Sequence, residues 1–270
     1  MPEPLPPPEL LQTSAVPLLQ VNGLRQVFGG VTALDGISFD LQAGEILALI
    51  GPNGAGKSTC FNILGGQARP TAGSVRFDGQ ELTRLSPQAI WRLGIGRTFQ
   101  TAATFATLSA QENVQAALLS RDHRLMRLWR RADRYQPEEA LALLAQVGLE
   151  DQAGRPAGVL TYGDVKRLEL ALALAHAPRL LLMDEPAAGM NSAERHALMD
   201  LVRSLVEQRQ LAVLFTEHSL DVVFRHASRV AVLAQGRLIA LDTPNAIAAD
   251  PLVRRAYLGS DSFRRSAAAS

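Results

Sequence analysis

Nine consecutive residues, Gly51-Pro52-Asn53-Gly54-Ala55-Gly56-Lys57-Ser58-Thr59, restrict what this chain can become more than any other feature. They fit the pattern G-x-x-x-x-G-K-[ST], in which glycines let successive main-chain N–H groups converge on one concavity and a helix start adds positive potential. The flanks agree: Glu45 to Ile50 reads as an apolar strand, and Ser58 to Leu64 can open a helix. Gly51, Asn53, Gly54, Ala55, Gly56, Lys57, Ser58 and Thr59 are therefore expected to cradle a nucleotide. Lys57 should meet the β- and γ-phosphates, and the Ser58 hydroxyl should ligate Mg²⁺. Of 27 Lys and Arg residues only Lys57 and Lys166 are lysines. An arginine-using chain that keeps lysine inside this loop needs a compact ammonium there.

Around the loop, buried apolar strands alternate with helices, which implies a largely parallel sheet covered on both faces. Leu19–Val21 and Ile37–Leu41 read as half-buried strands, turned by Asp35-Gly36 and by Ala43-Gly44, and Ser74 to Gly79 is a further strand and turn. From about residue 101 to 155 the pattern becomes helical, with a helix over Pro137 to Val147 presenting Leu141, Leu144 and Val147 on one face. Strands at Leu180–Met183, Leu211–Phe215, Val230–Leu233 and Arg237–Ala240 follow, with an amphipathic helix over Ser192–Gln208. Residues 1–17 hold six prolines and read as a flexible extension, and 260–270 as a tail.

Bulk properties narrow the setting. No run of eighteen apolar residues occurs, and the N-terminus lacks a basic start and apolar h-region, so the expectation is a cytosolic chain without a span or secretory signal. A net charge of +1 argues against nucleic acid as the partner, and the single Cys60 suits a reducing compartment.

A phosphate loop alone leaves kinase, GTPase, motor and transporter open; a guanine-reading N-K-x-D is absent. Leu180 to Met183 runs straight into Asp184-Glu185-Pro186. Asp184, at the end of a buried strand, can hold the Mg²⁺ shell, and Glu185 is placed to orient and deprotonate an attacking water.

With these motifs and Leu160-Thr161-Tyr162-Gly163-Asp164, the chain resembles the ATPase subunits of ABC transporters from about Leu18 to Gly259. That resemblance implies a P-loop NTPase of RecA-like α/β core, with an N-terminal antiparallel β subdomain and a helical subdomain inserted at about 101–175. In that family a signature usually written L-S-G-G-Q closes on the ATP of a second subunit. Thr161 and Gly163 keep its hydroxyl and glycine, while Tyr162 and Asp164 depart, and Asp164 is expected to point away or to bond locally at a helix start. The family further implies that Gln100 reaches the metal and the water, that His218 contacts the γ-phosphate, and that Phe28 stacks on adenine. Asn191, in Ala188-Gly189-Met190-Asn191, stands where most relatives end a loop in aspartate.

The segment Gly94 to Gln100, Tyr162, Asn191 and Ala256-Tyr257-Leu258-Gly259 resemble the branched-chain amino-acid importers, whose relatives also carry urea, short amides and other small solutes. The resemblance implies ATP and Mg²⁺ as cofactors, integral-membrane permease subunits, and a second ATPase subunit, identical or paralogous, in a head-to-tail dimer. An extracytoplasmic solute-binding protein acts indirectly, and the chain would sit peripherally on the cytoplasmic face of the inner membrane. A groove beside Gln100 should take a short permease helix, with Phe99, Thr101 and Phe105 as contacts. Six arginines and Trp129 between Arg121 and Arg134, like Arg254, Arg255, Arg264 and Arg265, could face lipid headgroups, the permease or solvent. A soluble ABC ATPase outside transport stays open as an alternative, although long coiled-coil insertions or a second nucleotide domain do not fit in 270 residues.

Overall fold

The computed structural model describes residues 16–98, 104–122 and 135–257. Gln100, Phe99, Thr101, Leu258, Gly259, Arg264, Arg265 and most of the 121–134 segment lie outside them.

Two antiparallel strands, β1 (Leu19–Phe28) and β2 (Val31–Leu41), open the chain. They reverse at Gly29-Gly30, both at positive φ, the arrangement a two-residue hairpin requires. The turn expected at Asp35-Gly36 is instead a bulge inside β2. Leu24 pairs with Ile37 and Gln26 with Leu34, so β2 carries one extra residue there. A glycine beside an acidic residue suits either solution, and the length of the paired strand decides. Next come β3 (Ile46–Ile50), α1 (Lys57–Leu64), β4 (Ala72–Phe77), β5 (Gln80–Glu81), α2 (Pro87–Arg92) and β6 (Ile95–Thr98). The described helical insertion contains α3 (Ala110–Arg121), α4 (Pro137–Gln146) and α5 (Tyr162–Leu174), which pack on one another. The chain then returns through β7 (Leu180–Asp184), α6 (Ser192–Arg209), β8 (Ala212–Thr216), α7 (Leu220–His226), β9 (Arg229–Ala234), β10 (Arg237–Asp242), α8 (Pro244–Ala249) and α9 (Pro251–Tyr257).

One sheet has the order β2-β1-β4-β5 and is antiparallel; the other has the order β10-β9-β3-β8-β7-β6, parallel except for the edge strand β10. Period-two alternation divides the parallel strands between two cores. Ile46, Ala48, Ile50, Val213 and Phe215 face the helices α3 to α7. Leu47, Leu49, Ala212 and Leu214 face α1 and the antiparallel sheet. Burial on both sides explains why these strands read as continuous apolar runs.

Helix α4 matches the expected segment but presents a different face. Ala140, Leu143, Leu144 and Val147 are buried, whereas Leu141 is exposed. The buried set follows the i, i+3, i+4, i+7 rule, and Leu141 sits one step of about 100° round from Ala140, beyond the stripe.

The topology decides what meets what. β3, β8 and β7 are adjacent parallel strands, with Thr216 in register with both Leu49 and Asp184. Their carboxyl ends therefore deliver the Gly51 loop, Thr216-Glu217-His218 and Asp184-Glu185 to one edge of the sheet, where ligands of open α/β sheets bind.

Candidate active site

The Gly51–Thr59 loop is fixed by close backbone approach. A Cβ on Gly51 would lie 2.2 Å from the Leu233 carbonyl oxygen, and one on Gly56, at φ 105°, would lie 2.6 Å from that of Ala33. Gly56 is also the N-cap of α1, and no side chain caps that helix, so its first N–H groups are left to the loop's concavity. The buried Lys57 ammonium donates to the carbonyls of Gly51 (2.7 Å) and Pro52 (3.2 Å), and the loop wraps its own lysine. Burial lowers the Lys57 pKa, opposed by Glu185 and Asp184, which places both carboxylates within electrostatic reach. Asn53, Gly54 and Ser58 are exposed, Thr59 is half-buried and Ala55 is buried.

Asp184 closes β7. Its Oδ1 accepts the Thr216 hydroxyl at 2.8 Å, and its Oδ2 is 3.6 Å from the Arg97 guanidinium. Glu185 follows at φ 50°, an uncommon left-handed conformation for a non-glycine residue. Its N–H is held by Thr216 through both the hydroxyl (3.1 Å) and the carbonyl (3.2 Å). Its Oε1 lies 2.9 Å from Nε2 of His218. The structure thus brings Lys57, Asp184, Glu185 and His218 to one edge of the parallel sheet.

Sequence pattern alone does not mark three further contributors. Thr216 ties Asp184 to Glu185. Arg97 links Asp184 to α1 through Asn62 Oδ1 (3.1 Å) and the Phe61 carbonyl (3.3 Å). Glu217 is buried, and its carboxylate accepts from the N–H groups of Ala187 (3.2 Å), His218 (3.0 Å) and Ser219 (3.4 Å). Burial pushes the Glu217 carboxyl up; the three N–H groups and Arg195 oppose this. All three lie within or beside quoted motifs, but only strand pairing reveals their partners.

Thr161 and Gly163 stand apart on the helical subdomain. Thr161 caps α5: its hydroxyl accepts from the Asp164 N–H (3.2 Å) and donates to Asp164 Oδ2 (2.7 Å). Asp164 therefore bonds locally, one of the two expected outcomes. Asn191 caps α6 in a reciprocal capping box with Glu194, a role its amide fills without charge. Phe28, at the end of β1, is 52% exposed and does not belong to the core, so its ring is open to a stacking partner.

Metal chemistry can be tested on the donor set. Ser58 and Asp184 offer a hydroxyl and a carboxylate, the hard oxygens Mg²⁺ prefers. Among the described residues no cluster of three or more His, Cys, Asp or Glu could hold a metal ion alone. The residues fit. Separately, a groove of ≈ 1020 Å³ opens between α2, β6, α3 and α5, lined by Trp91, Arg97, Ala117 and His176 among others, with exposed Phe105 on its wall.

The chain is similar to known proteins in sequence and in fold. Residues 34–188 match the family model described as ABC transporter, and residues 237–262 match that of the branched-chain amino acid ATP-binding cassette transporter. The high-affinity branched-chain amino acid transport ATP-binding protein BraF of Pseudomonas aeruginosa is 38% identical over 90% of this chain and 98% of the relative. LivG of Escherichia coli, with the same description, is 39% identical over equal shares. The crystal structure of an ABC transporter's ATP-binding cassette in its ADP conformation superposes with a TM-score of 0.82 at 28% identity, covering 91% of this chain and 100% of that one. A dimeric post-hydrolysis cassette bound to ADP and Pi gives 0.70 at 26% identity, covering 84% and 98%.

Proposed function

This chain belongs to the ABC transporter family as an ATP-binding and ATP-hydrolysing subunit, and from that premise we propose that it powers import of branched-chain amino acids. The solute reading is supported by the model matched at residues 237–262 and by the descriptions of BraF and LivG. Residues 18–259 form the cassette in this reading, seated peripherally on the cytoplasmic face of the inner membrane; among the described residues no helix is long and apolar enough to cross a bilayer.

ATP lies on the Gly51–Thr59 loop, with its adenine stacked on Phe28 and its β- and γ-phosphates on main-chain N–H groups. Lys57 leaves the Gly51 and Pro52 carbonyls for those phosphates. A phosphate oxygen is a stronger acceptor than a neutral carbonyl, so the exchange is favourable. Ser58, Asp184 and Gln100 would hold Mg²⁺, which supplies charge neutralisation at the phosphates. Glu185 accepts the proton of the attacking water, and His218, bonded to Glu185 Oε1, fixes that carboxylate and reaches the γ-phosphate. A second, identical or paralogous subunit contributes its Thr161 and Gly163 across a head-to-tail dimer. Nucleotide-driven closure then moves permease subunits seated in the groove by Phe105, and a solute-binding protein loads them from outside.

The observation that carries the reading is the 2.9 Å contact of His218 with a Glu185 that follows β7 directly, with β8 pairing both β7 and the phosphate-loop strand β3. Glu185→Gln is expected to leave ATP binding intact and to lower turnover by about a hundredfold or more. Unchanged turnover would assign water activation to another group.

A further inference from the structure

The tyrosine in the signature has no counterpart in the usual L-S-G-G-Q, and its contacts lead away from that motif. The Tyr162 hydroxyl donates to the Ala188 carbonyl at 2.8 Å, which joins the first turn of α5 to the loop after Glu185. The neighbour Gly189 turns at φ 80°, and a Cβ there would sit 3.3 Å from the same hydroxyl. The Ala188 N–H returns to the Glu185 carbonyl at 3.1 Å. One residue earlier, the Ala187 N–H is taken by Oε1 of Glu217, whose Oε2 takes the N–H groups of His218 and Ser219. The His218 ring then meets Glu185 Oε1, and the circuit closes. Arg195 runs in parallel, from the Met190 carbonyl (2.7 Å) to the Ser219 hydroxyl (3.1 Å).

We propose that Tyr162 and Glu217 form a hydrogen-bonded strap that couples the signature helix of the helical subdomain to the placement of His218 against Glu185 within one subunit. Neither side chain reaches the phosphate loop through any hydrogen bond or ion pair among the described residues, so both are positioning residues. The strap rests on the roles given above to Glu185 and His218. Its chemistry is specific. Glu217 must accept on both oxygens, so Gln, which has one acceptor oxygen and one NH₂, can serve only one of the two loops. A displacement of α5 relative to the parallel sheet would pull on Ala188 only while Tyr162 carries its hydroxyl. Movement of the signature is thereby transmitted to the histidine.

The test uses the full chain with Tyr162→Phe, Glu217→Gln and the double variant, and Glu185→Gln as control. Hydrogen exchange without nucleotide needs no turnover. In Tyr162→Phe, exchange is expected to rise about three- to tenfold not only at 187–190 but also at 217–220, which Tyr162 does not touch. A rise confined to 187–190, or none, overturns the strap. In ATP hydrolysis each single variant is expected to lose about tenfold or more in kcat with KM for ATP little changed, because misplacement affects chemistry rather than binding. The double variant should lose no more than the worse single one. Unchanged kcat in either single variant, or losses that multiply, also overturns it. If Glu185→Gln hydrolyses normally, the reading of the site has failed, and the exchange data alone judge the strap.

Discussion

Protonation of His226 offers a test of how the helices behind the site are held. The residue ends α7 with its side chain buried, and its Nε2 lies 3.0 Å from Nδ1 of His196 on α6. Asp200 approaches Nδ1 at 3.5 Å. Burial lowers the His226 pKa from 6.5 to about 4; Asp200 opposes this, and His196, Arg203 and Arg225 add to it. Between those values the unfolded chain binds a proton that the folded chain does not. Stability therefore rises with pH across this window, is complete above about 6.5, and is lost on acidification. At about 1.4 kcal/mol per pH unit the whole window is worth about 3 kcal/mol. Glu217, whose pKa burial raises, works in the opposite sense, its contribution being lost as pH rises. A single titration curve would mix the two. Urea denaturation of wild type and of His226→Gln between about pH 7.5 and 5 separates them, since Glu217 is common to both. The wild type is expected to lose about 2 kcal/mol more than the variant from pH 6.5 to 5. Parallel pH dependences would refute the reasoning, and the buried imidazole would then be no harder to protonate than an unfolded one.

Two further outcomes follow from the phosphate loop. Lys57→Ala should weaken ATP binding about ten- to a hundredfold by calorimetric titration, the loss of a charge-assisted contact, and normal affinity would remove Lys57 from the phosphates. Gly56→Ala forces a Cβ to within 2.6 Å of the Ala33 carbonyl oxygen at φ 105°, so it should cost about 1–3 kcal/mol of stability in thermal unfolding and abolish ATP binding; retention of both would show that the loop can move aside.

How far the sequence could be read depended on the range of each interaction. The phosphate loop was legible because its function is local: glycines, one lysine and a helix start lie within nine residues. Asp184-Glu185 was legible because an apolar strand leads into it, and the α4 segment because Pro137 and its periodicity mark it. The buried face of α4 was misjudged, since periodicity allows adjacent stripes and only the packing of α3 and α5 selects Ala140 and Leu143 over Leu141. The Asp35-Gly36 bulge reads as a turn in the sequence because both use the same residue types.

What the amino-acid order determined alone is the inventory: a nucleotide loop, an acidic pair, a histidine after a strand, and alternating elements that must form a parallel sheet. Only the tertiary structure decided the wiring. Thr216 holds the Glu185 N–H across 31 positions, Glu217 holds Ala187 across 30, and Tyr162 reaches Ala188 across 26. Such partners have no sequence spacing to recognise. They meet because β7 and β8 pair in one register, with Asp184 opposite Thr216, and because α5 packs close enough to bring its first turn onto the loop beyond them. Hydrogen bonds at this range are set by strand register and helix packing, quantities that belong to the fold as a whole.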